Sequence, residues 1–256
     1  MLAAERRDLL LTRLRVDGKV VAKELAAELG LSEDSIRRDL RELAAAGLCQ
    51  KVYGGAVPAS PALADYTTRA GVEPAGKTAV AVTAAALIRP GSVVILDGGT
   101  TTLAVTRALP TDLECTVVTH SPTVAVALLD HPGVEVVLLG GRLFKHSMVT
   151  CGAVAAEAAA GVTADLFLLG VTGVHPVHGL TTGDVDEAAM KRLLASRSAE
   201  TWVLASAEKL GAASRYTVLP LAEVSGVVTD GRPHETVDAL RNLGVTVREG
   251  RGPRAR

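Results

Sequence analysis

The sequence predicts an α/β protein in two unequal parts: a small helical unit closed by a β-hairpin, then a larger domain on a mainly parallel sheet. Three observations predict it. Residues 1–57 carry apolar side chains at helical spacing, with little strand-like sequence before Leu48. From Glu73 onward, β-branched apolar runs alternate with helical stretches, the pattern of a parallel sheet covered on both faces. At 256 residues and 48% hydrophobic, the chain is long enough for a small domain and a larger one.

In the first part, Leu10 and Leu14 stripe a helix that Asp17-Gly18 ends. Val21, Leu25 and Leu29 stripe a second, stopped by Gly30. Ser32 is an N-cap for a third helix, whose buried stripe is Ile36, Leu40 and Leu43 and which Gly47 ends. Leu48–Tyr53 followed by Gly54-Gly55 reads as a short hairpin or wing. Residues 58–72 read as a linker, with Pro58 and Pro61 around Ala and Ser; Tyr66–Gly71 is ambiguous between loop and connecting helix.

The second part spans residues 73–247. Strands are expected at Ser92–Leu96, Cys115–Thr119, Val134–Leu139, Leu166–Leu169, Thr201–Ala205 and Val224–Thr229, with a short last one at Val245–Arg248. Helices are expected at Lys77–Ile88, Thr102–Leu109, Pro122–Leu129, Val154–Ala160 and Val185–Ser198. A basic tail, residues 248–256, is expected to be disordered.

Composition excludes several function classes. The net charge of −1 requires any nucleic-acid contact to come from local charge placement, and 2% aromatic content argues against base-stacking platforms for single strands. Cys49, Cys115 and Cys151 share no metal-like or redox-like spacing, which suits buried thiols in a reducing cytoplasm. The N-terminus lacks a signal peptide's apolar run, and Ala79–Ile88 is far short of the roughly 20 residues of a spanning helix, so a soluble cytoplasmic protein without membrane contact is expected.

Residues 20–39, VVAKELAAELGLSEDSIRRD, carry the sharpest signal. Two short helices separated by a tight turn cross steeply, which lets the second enter a DNA major groove. Opposite Ile36, Leu40 and Leu43 lie Asp34, Arg38, Arg41 and Ala45, with Arg37 on the flank. An arginine fork bonds a guanine edge bidentately or clamps phosphates. Ser32 and Ser35 at the helix start are further DNA candidates. Arg6, Arg7 and Lys23 are candidates for phosphate, and Lys51 and Tyr53 for phosphate or the minor groove.

In the second part, glycine-rich loops follow three strands. Asp97 ends the first strand; Gly98 and Gly99 then let backbone approach a ligand, and Thr100, Thr101 and Thr102 offer hydroxyls and helix-start amides, a reasonable phosphate cradle. A tight turn with capping threonines would look the same. Leu139–Arg142 and Gly170–Thr182 are the other two loops, and Arg142 is either an anion partner or an ordinary surface arginine. Glu187 and Lys191 are spaced i, i+4, which equally fits a helix ion pair. Lys209 is a further anion candidate. His175 and His178 have no companion ligand pair, so no metal is expected, and no cofactor.

The segment from Glu5 to Ala56, with its SIRRDL and GGA motifs, resembles the N-terminal winged helix-turn-helix of the DeoR family of bacterial regulators. Downstream, LDGGTTT, VVTHS, LLGG, FLLGVTGV, GLTT, EAAMKR and SAEKLG resemble that family's sensor domain. The resemblance implies a fold similar to ribose-5-phosphate isomerase and the CoA transferases, and a phosphorylated sugar or related metabolite as effector. It implies effector contacts at Asp97, Gly99, Thr100, Thr101, Gly141, Glu187, Lys191 and Lys209. His120 stands where the family usually has asparagine, and Ala205 where an aspartate is common; both are expected at strand ends facing the pocket.

The expectation is a homo-oligomeric (dimeric or tetrameric) repressor of carbohydrate genes, binding double-stranded operator DNA and modulated by a phosphorylated sugar. The competing reading is a sugar-phosphate isomerase or transferase with a fused DNA-binding head, which would need a general base such as Asp97 or Glu187. A third is a winged helix that binds protein.

Overall fold

The computed structural model describes residues 2–60, 62 and 64–250. The first part comprises α1 (Ala3–Asp17), β1 (Val20–Val21), α2 (Ala22–Leu29), α3 (Glu33–Ala45), β2 (Cys49–Val52) and β3 (Gly55–Pro58). Leu10, Leu14, Leu25, Ile36, Leu40 and Leu43 form one buried cluster between the three helices, as their spacing predicts. Gly30 ends α2 in the left-handed conformation, and Ser32 caps α3 by accepting from the Ser35 amide at 3.3 Å.

The wing is three-stranded, in the antiparallel order β1-β3-β2. Two residues, Val20–Val21, supply the third strand, too short for a sequence pattern to announce. Gly54-Gly55 divides the labour. Gly54 has a φ of 80° in the turn, whereas a Cβ on Gly55 would lie 1.8 Å from the Val20 carbonyl oxygen. Only glycine lets β1 approach β3 so closely.

A connecting helix, α4 (Tyr66–Gly71), follows, capped by the Asp65 carboxylate on the Thr68 amide. Pro58 belongs to β3, and Pro61 of the expected linker lies outside the described residues. The second part then runs α5 (Pro74–Ala85), β4 (Val93–Leu96), α6 (Thr100–Ala108), β5 (Cys115–Thr119), α7 (Pro122–Ala127) and β6 (Val134–Leu138). A hairpin of β7 (Arg142–Phe144) and β8 (Val149–Cys151) leads to α8 (Ala153–Ala160) and β9 (Ala164–Gly170). The chain continues through β10 (Gly173–His175), β11 (Gly179–Thr182), α9 (Val185–Ser196), β12 (Ser198–Ala205) and β13 (Tyr216–Thr217). It ends with β14 (Gly226–Thr229), α10 (Glu235–Asn242) and β15 (Val247–Glu249).

Seven strands form one parallel sheet in the order β15-β14-β12-β9-β4-β5-β6. Alternation along each strand feeds two cores. Ile95, Phe167, Leu169 and Val203 face α8, α9 and α10, while Leu96, Leu168, Trp202 and Leu204 face α5, α6 and α7. From β4 the chain winds outward to β6, then returns to β9 on β4's other side, so strand order reverses between β4 and β9. That reversal leaves a crevice beyond their carboxyl ends.

The structure departs from the sequence expectation in four places. Helix α6 starts at Thr100 rather than Thr102, which puts three threonine amides in its unbonded first turn. Helix α5 starts at Pro74, whose fixed φ suits a first helical position. The hairpins β7–β8 and β10–β11 and helix α10 were not foreseen, because strands of three or four residues and an eight-residue polar helix carry too little periodicity. The tail expected from Arg248 is strand through Glu249, and Gly250 is buried, its amide bonded to the Thr229 carbonyl; residues 251–256 lie outside the described residues.

Candidate functional site

Two surfaces carry the chemistry: the exposed face of α3 with the wing, and the crevice between β4 and β9. On α3, Asp34, Arg37, Arg38 and Arg41 are exposed while Ile36, Leu40 and Leu43 are buried. Arg37 is held by the Glu33 carboxylate at 2.6 and 2.9 Å, whereas Arg38 and Arg41 have no ionic partner among the described residues. Lys23, Lys51 and Tyr53 are exposed as well, Tyr53 fully, at the wing tip. Ser32 and Ser35 share a 2.9 Å hydroxyl contact, so Ser32 divides its oxygen between cap and surface.

Two expected phosphate contacts are spoken for. Arg6 forms an ion pair with the buried Asp39 of α3, and Arg7 pairs with Glu42 at 3.1 Å. The Arg6–Asp39 pair ties α1 to α3 and gives the last carboxylate of SIRRD a structural purpose. A guanidinium bound this way is not available to DNA without unpairing a buried carboxylate.

The crevice is a narrow cleft with about 30 Å³ of free space. It brings together Gly98, Gly99, Thr100, Thr101, Thr102, Glu187, Lys191 and Lys209. Gly98 is packed so tightly that a Cβ would lie 2.0 Å from Val149, and Gly99 opens α6 with a φ of 109°. The first turn of α6, Thr100–Thr102, lines the cleft, and the free amides of such a turn are anion donors.

Asp97 lies directly behind this loop, fully buried. One oxygen accepts from His120 Nε2 at 2.7 Å and from the Gly98 amide at 2.8 Å. The other accepts from Lys191 Nζ at 2.5 Å and from the Gly170 amide at 2.8 Å. Burial disfavours its charge, but the Lys191 ammonium and the His120 hydrogen bond outweigh that and hold the carboxyl far below the ordinary range. For Lys191, burial pushes down while Asp97 and Glu187 push up, and the net shift is upward. Asp97 is thus the fastener of the cleft floor, joining β4 to β9 and α9, rather than one of its lining groups. Glu187 completes the floor, accepting from the Thr182 hydroxyl at 2.8 Å.

Lys209 differs from Lys191. It is buried, donates to the Thr101 hydroxyl at 3.0 Å and the Leu204 carbonyl at 3.2 Å, and burial pushes its amine down to about 8. Among the described residues no carboxylate pairs with it in an ion pair, so a bound anion would gain a charged donor without displacing such a partner.

Three charged lining residues escaped the sequence reading: Arg69 and Lys77 from α4 and α5, and Glu208 beside Lys209. Burial lowers the pKa of both Arg69 and Lys77. Arg69 Nε and Glu208 Oε2 are buried with no hydrogen-bond partner among the described residues. The only signal for Glu208 was its adjacency to Lys209, and Arg69 lay in a segment too short and mixed to place.

Four expected site residues fall elsewhere. Gly141 packs against Ala155, and Arg142, largely exposed, pairs with Asp186 at 2.9 Å; neither lines the cleft, because the chain turns into β7 away from it. His120 is buried behind Asp97, both ring nitrogens facing acceptors, the second being the Thr150 carbonyl at 3.0 Å. Ala205 is in the core at the end of β12. Neither faces the cleft as expected. Of the histidine pair, His175 Nδ1 accepts from the Val177 and His178 amides, burial pushes its ring down to about 4, and no group of three metal-ligating side chains forms among the described residues. No helix of the described residues is long and apolar enough to cross a membrane.

A winged helix-turn-helix head with an open arginine face, joined to a doubly wound domain with a cleft at its switch point, defines a DNA-binding regulator. The chain matches the DeoR-like helix-turn-helix domain over residues 6–62 and the DeoR C-terminal sensor domain over residues 72–231. The HTH-type transcriptional regulator GlpR of Haloferax volcanii is 36% identical over 258 aligned positions, covering 98% of this chain and 99% of that protein. The HTH-type transcriptional repressor GlcR of Bacillus subtilis is 31% identical over 248, covering 96% and 95%. A ribose 5-phosphate isomerase A structure from Methanocaldococcus jannaschii aligns with 52% of this chain and 53% of its own, at 18% identity and a TM-score of 0.39. The chain belongs to the DeoR family of transcriptional regulators.

Proposed function

We propose that this protein is a cytoplasmic homo-oligomeric repressor of carbohydrate-metabolism genes, which a phosphorylated sugar bound in the β4–β9 cleft releases from its operator. The observation that carries the effector reading is the pairing of opposite needs in one cleft. Lys209 and the α6 amides are donors suited to a phosphate, and Glu208 Oε2 is a buried acceptor suited to a sugar hydroxyl. Gly98, Gly99 and Thr100–Thr102 cradle the phosphate in this reading, and Lys191 and Glu187 hold the floor. Arg38 and Arg41 read bases, Asp34 can accept from a base-edge donor, and Ser32, Ser35, Arg37, Lys23, Lys51 and Tyr53 lie on or beside the backbone; dimeric heads occupy paired half-sites.

The enzyme reading loses its first candidate base, because Asp97 already accepts four hydrogen bonds. A thermal-shift screen of sugar phosphates, followed by operator binding with each hit, tests the proposal. A hit that stabilises the protein and weakens operator binding supports it; turnover of that hit would make the protein an enzyme.

A further inference from the structure

We propose that the effector occupies two adjoining spaces: its phosphate sits in the β4–β9 cleft, and its polyol body fills a chamber that the DNA-binding head walls on one side. The head is then part of the effector site. This rests on the reading of the cleft as an anion site, and it adds where the rest of the ligand goes and how α3 feels it.

Size decides first. The 30 Å³ of free space in the cleft holds about two waters, room for one small anionic group. Sites for whole small molecules run to roughly 300–1,000 Å³. A second cavity, with about 320 Å³ of free space, lies between the head and the sensor domain. Thr172 and Glu187 line both spaces, so the chamber begins where the cleft ends. A phosphate held by Lys209 and the α6 amides therefore has the chamber as the adjoining volume for whatever it is attached to.

The walls suit a polyol. Ala44 on the last turn of α3, Gly47 just after it and Gln50 on β2 come from the head, while Phe144, Asp184 and Arg215 come from the sensor. Arg215 is exposed and in no ion pair among the described residues, which leaves its guanidinium free to donate. Asp184 Oδ1 caps α9 by accepting from the Asp186 and Glu187 amides at 3.0 Å, and its Oδ2 accepts from no described residue. Phe144 is half-buried and adds an apolar face. Sugar hydroxyls both donate and accept, so they can meet Asp184 and Arg215 alike. A second phosphate in the chamber would face the Asp184 and Glu187 carboxylates, which places the ligand's single phosphate in the cleft.

The chamber also supplies a route to DNA. Ala44 belongs to the helix that carries Arg38 and Arg41, so a ligand filling the chamber touches the recognition helix itself. Ala59, one residue beyond β3, lines the chamber too and bridges to Ala213 of the sensor. Allostery requires a ligand to favour one of two arrangements. A ligand with contacts on both walls favours the arrangement in which head and sensor close on it, and loses those contacts when they part.

The experiment uses the full chain, inorganic phosphate as a probe of the cleft alone, and a panel of sugar and polyol monophosphates of three to six carbons as probes of both spaces. Affinities are measured by calorimetry for wild type, R215A, K209M and A59F, which fills the chamber from the connector. Amide exchange across residues 43–52 is followed with each probe. The expected result is that at least one panel member binds wild type about tenfold or more tighter than inorganic phosphate. R215A and A59F should remove that gain while binding inorganic phosphate within about twofold of wild type. The same panel member, and not inorganic phosphate, should slow exchange across residues 43–52. If no panel member exceeds inorganic phosphate, or if R215A and A59F keep the gain, the chamber is overturned and the cleft reading stands. If the gain needs Arg215 but exchange in residues 43–52 is unchanged, the head's part is overturned. If K209M binds inorganic phosphate like wild type, the cleft reading falls and the phosphate's place in this proposal falls with it. R215A replaces an exposed side chain, so it reports even if A59F fails to fold.

Discussion

Replacing Asp97 with asparagine preserves shape and removes one charge, and the structure says why that substitution should be severe. Each carboxylate oxygen accepts from two donors: His120 and Gly98 on one, Lys191 and Gly170 on the other. Whichever oxygen becomes an NH2 group, it confronts two donors with a third. Lys191 is left buried with only the Glu187 carboxylate at 3.4 Å. Breaking a buried pair in this way costs about 3–5 kcal/mol, which for a domain of this size lowers Tm by roughly 6–20 °C. Trp202, the single tryptophan, lies in β12 of the same sheet, so its fluorescence during urea unfolding reports this domain alone. Removing both charges, in D97N/K191M, should recover part of the loss. The sign with pH follows from the lowered carboxyl: the stabilisation is fully present above the unfolded-state value and drains away as pH falls below it toward the folded one. A loss under about 1 kcal/mol for D97N would refute the charged, fully bonded pair as the fastener of the cleft.

Other outcomes follow from the same geometry. Gly55→Ala should unfold or loosen the wing, costing about 1–3 kcal/mol in head stability by calorimetry, because a Cβ there meets the Val20 carbonyl at 1.8 Å; an unchanged melt would deny the close β1–β3 approach. Arg38→Ala should weaken binding to an operator selected from a random duplex pool by about 1–3 kcal/mol while sparing unrelated DNA, whereas an equal loss on both would make Arg38 a phosphate contact. Lys209→Met should abolish phosphate binding and leave the phosphate-free protein as stable or more so, since the buried amine is pushed down to about 8 from 10.5. In wild type, anion affinity should fall as pH rises through about 8, and that lysine's contribution to stability should rise between 8 and 10.5, where the unfolded chain holds more protons. Titrations from pH 6.5 to 10 with K209M as control check both.

The head was legible because its pattern is local. Ile36, Leu40 and Leu43 share a helical face, Ser32 caps it, and Gly30 stops the preceding helix, all within fourteen positions. The central strands were legible because both faces of the sheet are covered, so β-branched runs are continuous. The cleft was half legible. Glycines and threonines after β4 announce a ligand loop by themselves; Lys191 stood out by its spacing from Glu187 and Lys209 by its place after a strand, and the family resemblance pointed to both. Arg69 and Lys77 reach the cleft only because α4 and the first turn of α5 fold against it, a tertiary event with no periodic trace. His120 and Ala205 were misplaced for a related reason. A strand end can face the crevice or the layer behind it, and one residue of register decides which.

The central claim is that occupancy of the β4–β9 cleft controls the arginine face of α3 from a separate domain. The most direct measurement is fluorescence anisotropy of a labelled operator duplex, titrated with protein at fixed salt, with and without a saturating sugar phosphate identified by thermal shift. The account predicts a loss of operator affinity of about 5–150-fold that Thr101→Asp abolishes, with intrinsic operator binding retained. A ligand-induced loss of the same size in Thr101→Asp would place the effector elsewhere and contradict the account.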